Sequence, residues 1–227
     1  MGQMALVHHG TDNPGFAPAY NGSGAYNDYG SGLYCTEDIG LAREWACKLQ
    51  GGKAGYVFSY GVSLGELSVL RLASPDYTVL NWLALIVKHR ASSSWAAIVK
   101  RRARQFVEQY APDTGACDVI FGYRANDSYF AFAREFLNVA LTVGQLSQAF
   151  SLGRLGLQVV LKSERAFSPA YLAPMGVENI SARDYGEYNR TYIERDALAR
   201  ERLNEVRQDL SGDGRTILDI LEGGQKT

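Results

Sequence analysis

The sequence predicts an α+β fold, and three observations carry that prediction. Short apolar runs of strand type stand at residues 4–7, 56–60 and 157–161. Segments with apolar residues at helical spacing lie between them, clearest over residues 76–90 and 95–110. Hydrophobic residues make up 46% of the 227-residue chain and charged residues 21%, the balance of a protein that buries a core. A chain of this length suits one globular domain with an appendage.

The elements follow in order. Residues 4–9 read as a strand buried on both faces. Residues 10–31 are rich in Gly, Asn, Asp, Pro and Ser, the chemistry of a loop, and four tyrosines crowd this region (Tyr20, Tyr26, Tyr29, Tyr34). A loop of that length in a compact domain serves function or lacks order. Thr36 is the expected N-cap of an amphipathic helix over residues 39–49, which Gly51 and Gly52 end. Residues 56–60 alternate like a strand, and residues 67–72 form another. Pro75 and Asp76 mark a turn into a helix that runs to Arg90, and residues 95–110 give a second. A short strand is expected over residues 118–122 and helices over 127–137 and 143–150. Residues 157–161 are a continuous apolar strand carrying one polar side chain, Gln158. Composition then shifts. Residues 184–210 are dense in Glu, Arg, Asp and Asn with sparse apolar spacing, which predicts an exposed helix, and residues 217–221 form a short apolar segment. The expected division is a domain over residues 1–175 and a charged helical extension over 176–227.

The charge balance bounds the partners. Twenty-three Lys and Arg against twenty-four Asp and Glu give a net charge of −1, so no global field points to nucleic acid or membrane. The dense basic run at Lys100-Arg101-Arg102-Ala103-Arg104 reads as a solvated helix face or as a surface for an acidic partner. Cys35, Cys47 and Cys117 are odd in number and lack metal-ligand spacing, so reduced thiols, a cytoplasmic location and no metal are expected. No basic segment followed by an apolar stretch marks a signal peptide, and no apolar run is long enough to cross a bilayer. Gly22-Ser23-Gly24 and Gly30-Ser31-Gly32 lack the Gly-Lys-Ser/Thr of a phosphate-binding loop.

Two motifs carry the chemistry. His8-His9-Gly10-Thr11 ends the first strand, and Gly30-Ser31-Gly32-Leu33-Tyr34 opens the next element. Together they resemble the NAD-binding signature of the ADP-ribosyltransferase superfamily, in its diphtheria-toxin and poly(ADP-ribose)-polymerase-like branch. Three later segments are similar to one bacterial branch of that superfamily, whose members are often read as toxin domains. Residues 76–90 match its Trp-containing helix that ends in Asn-Arg, with His89 in place of the Asn. Residues 118–129 match its D-x-x-x-G-x-x-A-D-D-x-x-Y segment, with Asn126 for the first Asp of the pair. Residues 157–167 match its last signature, in which Gln opens a strand and Ser/Thr-Glu-x-Ala follows. The five pieces run in the family's order from Leu6 to Phe167.

The resemblance implies a split, strongly bent mixed sheet with helices around it and NAD as co-substrate in the cleft between the half-sheets. It implies a mono-ADP-ribosyltransferase acting on a macromolecule, protein or nucleic acid, in a toxin–antitoxin or defence system with an antitoxin protein as partner. It assigns His9 to donate to an adenosine-ribose hydroxyl and the backbone N–H and C=O of Gly10 to pair with the carboxamide. Glycine suits such an approach because it has no Cβ. Thr11 positions the turn or the ribose, and Tyr34 stacks on the nicotinamide ring. Gln158 stands where the superfamily usually has Glu. Its carbonyl oxygen can accept from a ribose hydroxyl, but it lacks the charge that would stabilise a cation-like transition state. Asp127 is the candidate for a helping carboxylate and Arg124 for the pyrophosphate. On that basis Gln158→Glu should preserve or raise cleavage.

Plainer readings stand beside these. His8 points opposite to His9 and is structural, since strand side chains alternate. Gln158 is either a ribose acceptor or a satisfied core amide. Trp45, Trp82 and Trp95 are core packing, and Cys35 has no paired base to make it a nucleophile. Two rival functions remain: an NAD glycohydrolase with water as acceptor, and a non-catalytic module that binds NAD, ADP-ribose or a partner protein.

Overall fold

A computed structural model describes residues 3–223, apart from residues 21, 25, 50, 51, 53, 93, 126 and 152–155; the side chains of residues 127–129, 150 and 151 also lie outside the description. The fold is α+β, with two sheets and seven α-helices among the described residues. The first sheet has the order β1-β3-β7, built from β1 (Met4–Thr11), β3 (Gly55–Ser63) and β7 (Leu172–Ile180), all antiparallel. The second has the order β2-β6-β5-β4. It joins β2 (Leu33–Cys35), β6 (Leu157–Leu161), β5 (Val119–Tyr123) and β4 (Val69–Arg71), with the β4–β5 pair parallel and the others antiparallel. One bridge ties the sheets together. The N–H of His8 donates to the carbonyl of Thr36 (2.8 Å), and the N–H of Thr36 donates back to His8 (3.0 Å).

Three apolar layers follow from the side-chain pattern. Val7, Phe58 and Val62 of the first sheet meet Leu33, Cys35, Val119, Phe121, Val159 and Leu161 of the second. The far face of the second sheet, with Ile120 and Val160, packs on the main helical layer. Its centre is α2 (Val79–Arg90), buried from Trp82 through Val87 and therefore apolar all round. Around it lie α3 (Ala97–Tyr110), α4 (Asp127–Leu137), α5 (Val143–Ser151) and α7 (Ile217–Gly223). The outer face of the first sheet is covered at one end by α1 (Ile39–Ala46). That cover is partial, which corrects the reading of residues 4–9 as buried on both faces: Met4 is 70% exposed and Leu6 52%.

The helix starts also differ from the sequence reading. Thr36 does not cap α1: its hydroxyl accepts from the N–H of Asp38 (3.2 Å), ahead of the helix that starts at Ile39. Asp38 caps instead, its carboxylate accepting from the N–H groups of Gly40 and Leu41. The helix stops at Ala46, short of residue 49, where the N–H of Cys47 is shared between the carbonyls of Arg43 and Glu44. Gly51 lies outside the described residues. Thr78 and Asn81 form a capping box that starts α2.

Past residue 172 the chain stays attached to the rest. β7 runs unbroken through residue 175 and pairs with β3 as far as Ile180. The long α6 (Ala182–Gln208) follows, exposed along most of its length, with Tyr185, Leu203 and Val206 buried. Arg195 holds the buried Glu44 of α1 by two hydrogen bonds (2.7 and 2.8 Å). Arg207 holds Glu135 of α4 in the same two-pronged way (2.8 Å each). Asn189 donates to the carbonyl of Cys47 (2.6 Å) and the Tyr185 hydroxyl to that of Leu49 (2.9 Å). The side chain of Gln145 donates to the carbonyls of Val206 and Arg207, satisfying the end of the helix.

Candidate active site

A cavity of about 640 Å³ opens where the end of β1 meets β2 and β6, within the range of small-molecule sites. Its wall takes His9 and Gly10 from β1, Tyr34 from β2, Arg124 from the turn after β5, and Gln158 from β6. Strand pairing sets this convergence. The β2–β6 register places Tyr34 opposite Val160, and the β5–β6 register places Gln158 opposite Gly122.

His9 is locked from two sides. Its Nδ1 donates to the carbonyl of Tyr34 (2.8 Å), and its ring stacks on Phe16 with centroids 4.2 Å apart. Burial pushes its pKa below the ordinary histidine value, so the ring is neutral at pH 7. With Nδ1 protonated, Nε2 is an acceptor. The Nε2 of His9 is thus set to accept a hydrogen bond, where the resemblance expects His9 to donate one. His8 does face away, its Nδ1 lying 2.8 Å from the Ser59 hydroxyl.

Gly10 has two reasons to be glycine. A Cβ here would collide with the backbone of Ala42 in α1, so packing alone demands the residue. The antiparallel ladder also turns the N–H and C=O of His8 and Gly10 towards the same edge. His8 spends its pair on Thr36, and the pair of Gly10 lies along that edge beside the cavity.

Tyr34 is held by the loop before it. Its hydroxyl donates to the carbonyl of Gly30 (2.6 Å) and accepts from the N–H of Tyr29 (3.0 Å), and burial keeps the phenol neutral. Tyr29 is fully buried. Its hydroxyl donates to the carbonyl of Tyr123 (2.6 Å) and accepts from the indole N–H of Trp82 (2.6 Å). Gly122 makes room for that ring, since a Cβ there would overlap the Tyr29 hydroxyl. Lys162 donates to the Tyr29 carbonyl, so the loop that carries these residues is pinned at several points.

Gln158 lies 6% exposed beside Asp28, a carboxylate the sequence reading did not single out. The Gln158 amide donates to Asp28 Oδ2 (3.3 Å). The same oxygen accepts from the N–H of Ala125 (2.9 Å), and Oδ1 accepts from Arg90 (3.1 Å). Desolvation raises the pKa of Asp28, and these partners pull it back. The other end of the amide, Gln158 Oε1, is buried with no partner among the described residues. A buried acceptor left unpaired costs free energy, and a ligand donor would satisfy it.

The rest of the wall is cationic and aromatic. The guanidinium of Arg124 lies over Trp45 (5.3 Å) and over Tyr192 of α6 (5.6 Å). Lys48 lines the same cavity, and among the described residues neither Lys48 nor Arg124 pairs with a carboxylate. Arg200 also lines it, paired with Asp196. Such cations suit a phosphate-bearing ligand.

The structure therefore brings His9, Gly10, Tyr34, Arg124 and Gln158 to one cavity. Thr11 is not among its lining residues; its hydroxyl accepts from the N–H of Asn13 in the following turn. The side chain of Asp127 lies outside the described residues. Asp28, Arg90, Trp45, Lys48 and Tyr192 join the wall without having been assigned there from sequence. Cys35 is fully buried and its thiol pKa is pushed up, which leaves it inert.

Residues 5–172 match a family described as a protein of unknown function, DUF3990. The chain belongs to this family. The DUF3990 span holds every cavity residue from β1 to β6, while Tyr192, Asp196 and Arg200 of α6 lie beyond it. No curated protein matches the chain. Among solved structures, a chain of the M. tuberculosis MbcT–MbcA toxin–antitoxin complex is similar at 12% identity with a TM-score of 0.42. That likeness covers 83% of this chain and 91% of the other.

Proposed function

We propose that this DUF3990 protein cleaves NAD between nicotinamide and ribose and transfers the ADP-ribose to a macromolecule, as a toxin restrained by an antitoxin protein. The observation that carries the reading is that Gln158, whose buried Oε1 has no partner among the described residues, lines one cavity with Tyr34 and Gly10. In the reaction the C1′–N bond breaks, and its electron pair returns to the nicotinamide ring, which leaves neutral. The ribose carbon becomes cation-like until a lone pair from the acceptor reaches it and the acceptor's proton is lost to solvent. Gly10 clamps the carboxamide, the Tyr34 ring stacks on the leaving group, and Gln158 Oε1 accepts from a ribose hydroxyl. His9 Nε2 accepts from a second hydroxyl, and Lys48 with Arg124 faces the pyrophosphate. The toxin–antitoxin setting rests on the sequence resemblance.

One observation favours a second reading. α6 supplies Tyr192, Asp196 and Arg200 to the cavity wall, which narrows the room for a macromolecular acceptor and favours water. The deciding experiment follows nicotinamide release from labelled NAD by the purified protein, with and without cell lysate. Release with label moving onto protein or nucleic acid supports the transferase. Release without transfer supports the glycohydrolase. A folded protein that releases nothing refutes both, and Tyr34→Ala should abolish whatever release is seen.

A further inference from the structure

We propose that Asp28 is the positioning residue for Gln158, and that the buried pair does the work of a single glutamate. The inference rests on the NAD-cleaving reading. Gln158 alone has two faults as a stand-in for Glu. Its amide can turn over, presenting N–H where an acceptor is needed, and it carries no charge. Asp28 removes both. A carboxylate can only accept, so the NH₂ end must face Asp28 Oδ2, which leaves Oε1, unpartnered among the described residues, as the acceptor of a side chain that lines the cavity. The negative charge 3.3 Å behind the amide polarises it and makes Oε1 a stronger acceptor.

The carboxylate itself is held for this task. It is 6% exposed, and the Ala125 N–H and the Arg90 guanidinium fix its two oxygens. Arg90 in turn lies over the ring of Phe130 (4.8 Å), at the end of α2. Three elements therefore meet on one side chain from the 10–31 loop. The arrangement also explains why Glu does not simply replace Gln158 here. A second carboxylate beside Asp28 would have to share a proton with it. This revises the expectation that Gln158→Glu preserves or raises cleavage.

The test uses four full-length proteins: native, Asp28→Asn, Gln158→Glu, and the exchanged pair Asp28→Asn/Gln158→Glu. Nicotinamide release is measured as kcat and KM across pH, with a thermal melt of each. Asp28→Asn should lower kcat by at least about tenfold, the scale on which losing an orienting partner acts, while KM stays near native. Gln158→Glu should acquire an ionisation in its kcat profile that the native protein lacks, from the shared proton. The exchanged pair keeps one carboxylate within the pair, should lose that ionisation, and should recover most of the kcat missing in Asp28→Asn. A merely structural Asp28 cannot produce that recovery. Native kcat in Asp28→Asn, or an exchanged pair that folds and does no better than Asp28→Asn, overturns the inference. Should Asp28→Asn alone fail to fold, the exchanged pair decides: turnover supports the inference and silence refutes it. Silence from all four, native included, overturns the NAD-cleaving reading and the inference with it.

Discussion

A neutral histidine with one nitrogen committed has one function left to give, and His9 is in that position. Its Nδ1 is spent on Tyr34, so on the proposed reading its contribution to a ligand is a single accepted hydrogen bond at Nε2. His9→Ala should weaken NAD binding about five- to tenfold, the worth of one such bond of about 1 kcal/mol, as read by isothermal titration. Unchanged affinity would remove His9 from the site. Native affinity should also fall as pH drops below the ordinary histidine value, because a protonated Nε2 can no longer accept. The fall should begin at a lower pH than for a solvated histidine, since burial has already depressed the ring's pKa. Asp28 shows where residue-level reading stops. It sits in a run of Gly, Asn and Tyr with no local pattern to mark it. What makes it special is the N–H of Ala125, ninety-seven positions away.

The elements show how a surface helix becomes part of a site. Arg195 of α6 neutralises Glu44, whose side chain is 4% exposed on α1. Arg195→Ala strands that carboxylate and should cost about 3 kcal/mol in a denaturant melt. Adding Glu44→Leu should recover part of the loss, and an unchanged melt for Arg195→Ala would deny that the pair fixes α6. The order and type of the elements were legible because apolar spacing is strong where burial is strong. The spans Asp127–Leu137 and Leu157–Leu161 came out as read. The errors lie where tertiary partners took over a local signal. Thr36 has the chemistry of a cap, but the bridge to His8 holds it in the sheet with its hydroxyl on the N–H of Asp38, and Asp38 two residues on took the role. Met4 and Leu6 look like core because they alternate with nothing polar, yet α1 covers the sheet only towards Gly10. The candidate site was half legible. His9, Gly10, Tyr34, Arg124 and Gln158 were found through the motifs, while the aromatic and cationic wall from Trp45 to Tyr192 depends on how α1 and α6 pack.

At the scale of the whole molecule, all three histidines are held towards the neutral form. His8 and His9 have lowered pKa values, and His89, half-buried beside Lys162 and Lys88, is pushed down to about 4. The unfolded chain binds protons at these positions near the ordinary value of about 6.5. Between that pH and about 4 it binds more protons than the folded chain, so stability falls as the solution is acidified through this window. The melting temperature should drop across it, and His89→Gln should flatten the drop. A profile as steep in His89→Gln as in the native chain would show that His89 does not titrate as the fold implies. The cavity has a further consequence for the order in which the protein comes into being. Its wall is drawn from positions 9 to 200, with Gln158 in β6 and the last side chain in α6. A ribosome must reach α6 before the parts can meet. Nascent chains that have not reached β6 carry His9 and Tyr34 without Gln158, so on the proposed reading NAD cleavage waits until α6 has been made.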